Sequence, residues 1–179
     1  SGAVAGERKR ATVFFCDLVD STALAERLDP EIYRELLDRY LELAFAEIYR
    51  FEGIVNQLAG DGLMALFGAP IAHEDAPERA VRAALAIQAS LADLSDRLLA
   101  ERGVSLRARI GIHTGIVVAG TVGNDQKMDY TAIGDTTNLA ARLQSLATPG
   151  TILISEATLA LLRGAFATEP AGPFEVKGK

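Results

Sequence analysis

Two aspartates, Asp17 and Asp61, are the residues on which chemistry could be built. Asp17 lies near the end of a β-branched and aromatic run, "RATVFFCDLV", and Asp61 stands between two glycines inside "NQLAGDGLMALFG". If the strands that carry them lie side by side, the two carboxylates converge. Carboxylates about 4 Å apart repel each other. A Mg²⁺ between them removes that repulsion, and this ion favours one or two carboxylates together with phosphate oxygens. Glycine on both sides of Asp61 would let a polyphosphate approach the backbone. Taken singly, each aspartate reads more readily as a turn or a helix cap.

Other residues add to the pair. "DLVDST" places a polar turn before "ALAERL", so backbone N–H groups at a helix start could attract anions, with Ser21 or Thr22 as the cap. Asn138 and Arg142 are four apart on one expected helix and so emerge from the same face. An amide beside a guanidinium can orient a sugar and stabilise a phosphoryl group in transit. His73 and His113 have no partner at metal-ligand spacing, and the glycines of "GIVVAGTVGNDQK" lack the Gly-Lys-Ser/Thr of a phosphate-binding P-loop.

These residues need a folded domain to position them. The chain has 179 residues, 49% hydrophobic and 23% charged, enough for one globular domain with a real core. A net charge of −6 argues against a nucleic-acid surface. The single Cys16 excludes an internal disulfide and, with no apolar run long enough to span a bilayer, points to the cytoplasm. Residues 1–7, opening on Ser1-Gly2, read as a linker ahead of a domain over residues 8–179.

The expected elements alternate in period. A strand over residues 10–19 is followed by a long helix that opens at Asp29-Pro30 and stops near Gly53. "GIVNQLA" and "GLMALFG" read as a hairpin turning on the Asp61-Gly62 pair. A second helix runs from Asp75 to Gly103. "SLRARIGIHTGIVVAGTVG" reads as a strand pair broken at glycines, with close backbone approach. A strand and a turn at Gly134-Asp135 lead into the helix of Asn138 and Arg142. "TILIS" is a strand, "SEATLALLRG" a short helix capped by Ser155, and "FEVKGK" the start of a strand. Hairpins mixed with crossovers favour an α+β sandwich, one sheet with helices on one face.

"FFCDLVDST", "GDGLMALFG", "RIGIHTGIVVAGTVG", "DYTAIGDTTNLAARL" and "FEVKGK", in that order, resemble the class III adenylate and guanylate cyclase catalytic domain. The resemblance covers nearly the whole chain and is nearest the bacterial adenylate cyclases with threonine in the base pocket. It implies a ferredoxin-like, palm-type, mainly antiparallel sheet with a β-hairpin arm, and conversion of ATP to 3′,5′-cyclic AMP and pyrophosphate. Two Mg²⁺ or Mn²⁺ ions per site are implied, bound by Asp17, Asp61 and the backbone carbonyl of Leu18. Ser21, Thr22, Arg109 and Lys177 would meet the phosphates, Asn138 the ribose, and Arg142 the transition state. Gln57 and Thr131 would read the base. The family's sites form between two chains, so Asp17, Asp61 and Arg109 would come from one copy. Gln57, Thr131, Asn138, Arg142 and Lys177 would come from the other copy of a homodimer. Flanking regulatory domains in a longer chain are implied too.

Two features depart from the family. Adenylate cyclases of this kind usually carry lysine where Gln57 stands, and guanylate cyclases glutamate. A glutamine amide both donates and accepts, so it can meet adenine or, turned over, guanine, and some use of GTP is expected. The domain also stops short of a last edge strand after Lys177. The competing reading is a cyclase-like module that binds nucleotide and dimerises without turnover.

Overall fold

The computed structural model describes residues 7–124 and 127–173. Its elements run β1 (Glu7–Leu18), α1 (Ser21–Arg27), α2 (Pro30–Arg50), β2 (Ile54–Ala59), β3 (Gly62–Phe67), α3 (Ala76–Arg102), β4 (Ala108–Asn124), β5 (Lys127–Ile133), α4 (Asp135–Leu146), β6 (Ile152–Ile154) and α5 (Glu156–Leu162). The sheet is ordered β2-β3-β1-β4-β5, and β6 joins the β5 edge of β4 as the parallel strand. The α+β class and the mainly antiparallel sheet are as expected.

β1 is apolar on both sides because both of its faces are covered. Phe14, Cys16 and Leu18 point into a core shared with α1, α2, α3 and α5, whose Leu24, Tyr40, Ile87 and Leu162 fill it. Ala11 and Val13 point the other way, against Met64, Leu66, Val117 and Ala140. Ala140 belongs to α4, so this helix packs on the face opposite the other four, where the sequence had suggested one helical layer. Each fully buried Leu, Ile or Phe contributes roughly 1.5–3 kcal/mol, whereas exposed ion pairs such as Arg82–Glu78 contribute about 0–1 kcal/mol. Stability therefore resides in the two apolar layers.

β4 corrects a second expectation. It is one strand of 17 residues, with no break at its glycines. Its first half pairs with β1, and its second half with β5 as a hairpin arm. The glycines serve α4 instead. A Cβ on Gly111 would lie 2.2 Å from the Gln144 nitrogen and 2.7 Å from the Ala140 oxygen, and one on Gly115 would lie 2.6 Å from Thr136 Oγ1. The helix backbone thus rests directly on the strand. On the other face, Thr12, Thr114, Thr158 and Ser155 form a chain of hydroxyl contacts of 3.0–3.1 Å that ties α5 to β1 and β4.

Several ends are as read: α2 begins with Pro30 after Asp29, α3 ends at a left-handed Gly103, and Ser155 accepts a bond from the Thr158 N–H at 3.2 Å. The start of α1 differs. Asp20, not Ser21 or Thr22, is the residue before the helix, with a left-handed φ of 56° and no side-chain cap. The strand expected in "FEVKGK" lies outside the described residues.

Because α4 has no room to retreat from β4, Gly111→Ala should destabilise the fold by about 3 kcal/mol, the upper part of the range for overpacked cores. Thermal and urea unfolding of the variant check this; an unchanged midpoint would contradict the contact.

Candidate active site

The two aspartates meet as their spacing suggested. In the sheet register Cys16 is opposite Leu63 of β3, and Asp17 is opposite Arg109 of β4. The β2–β3 hairpin turns on Gly60 and Asp61, with Ala59 opposite Gly62, one residue earlier than the Asp61-Gly62 pair expected. Gly60 takes the left-handed φ of 62° that a two-residue hairpin turn needs at its first position. A Cβ on Gly62 would lie 3.8 Å from that of Asp17, so the hairpin tip abuts the end of β1.

The electrostatics follow from that placement. Burial lifts the Asp17 carboxyl above its ordinary 3.8, and the charge of Asp61 lifts it further; a hydrogen bond from Gln144 and the Arg109 charge pull it back. Asp17 Oδ1 is buried with no hydrogen-bond partner, and so is Arg109 Nε. A buried orphan oxygen is costly unless something meets it. Neighbouring Cys16 is inert: burial pushes its thiol up to about 12, and it lies 3.2 Å from the Tyr40 hydroxyl.

The pair suits a hard cation. Among the described residues no three His, Cys, Asp or Glu side chains group into a metal cage. Two carboxylates with an unmet oxygen on Asp17 fit an ion such as Mg²⁺, which completes its shell with backbone carbonyl, water and phosphate oxygens.

Gln57 reaches the same place through an irregularity. Val55 pairs with Ala65 and Gln57 with Met64, so Asn56 is an extra residue, a β-bulge. Without it, alternation would put Gln57 on the face of Val55, toward the α2–α3 layer. The bulge returns it to the face of Met64 and α4. There Gln57, Asp17, Phe15, Gly62 and Gln144 line one cleft of about 170 Å³. A larger cleft, about 270 Å³, opens between α1 and the α3–β4 connection beside Arg27 and Arg107, and holds neither carboxylate.

The remaining expected site residues fall into groups. Leu18 is the buried last residue of β1, and Ser21 and Thr22 open α1, half-buried and exposed. Asn138 and Arg142 are exposed, while Thr136, Ala140, Leu143 and Gln144 are the buried face of α4. They do not line the Asp17 cleft of their own chain. Thr131 is on β5 with its backbone opposite Gly120. Lys177 lies outside the described residues.

Two residues escaped the sequence reading. Gln144 is only 9% exposed and lines the cleft beside Asp17, close enough to pull its carboxyl back down. Thr137, next to Asn138, has a buried hydroxyl with no partner. The available signal for Gln144 was a polar residue four positions after Ala140, on the stripe of α4 that must face the sheet.

Residues 4–179 match the family model described as the adenylate and guanylate cyclase catalytic domain. Adenylate cyclase 1 of Rhizobium meliloti is 34% identical over 180 residues, covering 99% of this chain; the chain spans only 27% of that relative's length. The crystal structure of the adenylyl cyclase CyaB from P. aeruginosa superposes with a TM-score of 0.91 at 34% identity, covering 97% of this chain and 90% of that one. The guanylyl cyclase Cya2 gives a TM-score of 0.90 at 30% identity, covering 100% of this chain and 89% of that one.

The raised pKa of Asp17 makes stability fall with pH. The folded chain holds this proton more tightly than the unfolded chain, so the associated stability is full below the ordinary 3.8 and is lost as pH rises through the higher folded value. In chelator, Asp17→Asn should flatten that loss and melt above wild type at neutral pH. Calorimetry between pH 3 and 8, values chosen to bracket the carboxylate range, checks it. Parallel curves for the two proteins would sink the assignment.

Proposed function

The chain belongs to the adenylate and guanylate cyclase catalytic domain family, and from that premise we propose that it converts ATP to 3′,5′-cyclic AMP and pyrophosphate at a homodimer interface, with some use of GTP. The observation that carries this reading is the Asp17–Asp61 pair beside Arg109, with an unmet oxygen on Asp17. In the reaction the ribose 3′-oxygen forms a bond to the α-phosphorus, the bond from that phosphorus to the pyrophosphate oxygen breaks, and the hydroxyl proton is lost. A bound Mg²⁺ or Mn²⁺ supplies Lewis-acid stabilisation of the phosphate and alkoxide oxygens.

The residues divide that work. Asp17 and Asp61, with the Leu18 carbonyl, would hold the cations. Arg109 stands across the ladder from Asp17 with a buried, unmet Nε and would meet the triphosphate together with Ser21, Thr22 and Lys177. Asn138 orients the ribose and Arg142 bears on the charge that develops at phosphorus. Both are exposed on α4, as groups that act on a nucleotide held by a second copy must be. A cleft of about 170 Å³ is also smaller than the roughly 300–1,000 Å³ of ligand pockets. A second chain bringing its own Gln57, Thr131, Asn138, Arg142 and Lys177 would complete the site, and the Gln57 that lines the Asp17 cleft of the first chain would in turn serve the site built on the partner's carboxylates. Flanking regulatory domains fit a chain that spans 27% of its Rhizobium relative.

Asp17→Ala or Asp61→Ala should abolish cyclic-nucleotide formation while circular dichroism stays native; substantial product from either would remove the metal role. Arg142→Ala should cut kcat by about 100-fold with little change in KM, because its interaction is made in the transition state. Mixing it with Asp61→Ala should restore activity through one intact interfacial site, and no restoration would argue against a shared site.

Base selectivity has its own test. With Gln57 the chain should prefer ATP and still turn over GTP, as chromatography of the products at matched concentrations would read. Gln57→Lys should raise the ATP to GTP ratio by about tenfold, equivalent to 1.4 kcal/mol. A clean preference for GTP in wild type would overturn the assignment.

A further inference from the structure

We propose that Gln144 is a positioning residue for the metal site: its carboxamide ties one oxygen of Asp17 and leaves Oδ1 directed to the cation. The inference rests on the metal reading of Asp17 and Asp61 above. Gln144 does not touch substrate; it acts through the carboxylate.

The backbone sets up the contact. Asp17 pairs with Arg109, and Phe15, one same-face step back along β1, pairs with Gly111. Gly111 is where α4 descends: a Cβ there would lie 2.2 Å from the Gln144 nitrogen and 2.7 Å from its Cα. The start of the Gln144 side chain thus lies above the Phe15–Gly111 pair. From there Asp17 is two residues away, about 7 Å along a strand, a gap that a glutamine side chain plus one hydrogen bond of about 2.9 Å spans. An asparagine is one methylene shorter.

The chemistry fits the geometry. A carboxamide is the uncharged side chain that can donate to a carboxylate without neutralising it. Arginine or lysine at this position would compete with the cation for Asp17, and glutamate would add a third negative charge to a pair that already repels. Gln144 is 9% exposed and lines the same cleft as Asp17, which places its carboxamide beside the carboxylate and largely away from bulk water. Asp17 Oδ1, buried with no partner, is the oxygen left for the metal. Groups that orient a ligand in this way typically contribute 10–100-fold to metal affinity.

The test is Mn²⁺ binding to the purified chain without nucleotide, read by electron paramagnetic resonance of the free ion, for wild type, Asp17→Asn, Gln144→Leu and Gln144→Met. The two Gln144 variants keep the volume and remove the donor; the more flexible methionine guards against a leucine variant that does not fold. Either folded variant should bind Mn²⁺ about 10–100-fold more weakly than wild type. In turnover, each should need more metal for half-maximal rate while KM for nucleotide at saturating Mn²⁺ stays unchanged. Wild-type affinity for Mn²⁺ in a folded Gln144 variant, with binding lost in Asp17→Asn, would overturn the positioning role and leave the metal reading standing. Equal binding by wild type and Asp17→Asn would overturn both.

Discussion

Two like charges held together against their own repulsion are the constraint that the rest of the structure answers to. Asp17 is raised first by burial and then by Asp61, so the ionised pair costs folding energy at neutral pH. That cost is sustained only if both carriers are rigid. β1 is flanked on both sides, by β3 through five consecutive pairs and by β4 through twelve, and is covered by apolar layers above and below. Asp61 sits on a two-residue hairpin whose first residue, Gly60, takes a conformation that side chains rarely adopt. The strands at the centre of the sheet therefore hold the charges, and the helices hold the strands.

The same rigidity extends to α4 through Gly111. Ordinary helix-on-sheet packing leaves a layer of side chains between backbones, whereas at Gly111 the backbones themselves touch. Helix position then depends little on side-chain repacking. Two results follow from one contact: Gln144 is buried beside Asp17, and Asn138 and Arg142 face outward. A strand residue without a side chain thus orients both sides of a helix.

Much of this was legible in the sequence because local rules dominate there. Pro30 after Asp29, Gly103 after a helical stripe, and Gly60 beside Asp61 each mark an end by a backbone requirement that few other residues meet. What was not legible depends on pairing across long separations. The glycines of β4 look like chain breaks until α4 is placed on them. The bulge at Asn56 cannot be read from "GIVNQLA", because plain alternation gives Gln57 the face of Val55. Four helices share a face and α4 does not, a choice fixed only when Ala140 finds Val13 and Val117. Gln144 looked like an ordinary helix residue because its partner is 127 positions earlier in the chain.

The bulge also bears on why, in the proposed function, base reading would separate from metal binding. Asp17 and Asp61 are carried by strand ends and a tight turn, where backbone geometry leaves little choice. Gln57 is on an exposed edge strand and reaches the cleft through an extra residue. Edge strands tolerate bulges because they are paired on one side only, so this position can change its side chain without disturbing the carboxylates. Under the function proposed above, a side chain so placed would shift recognition of the base by the hydrogen bonds it offers, and an amide offers both kinds. Similarity to both an adenylyl and a guanylyl cyclase, with TM-scores of 0.91 and 0.90, is what the proposed division would allow: one rigid frame at the carboxylates, and an edge position free to vary.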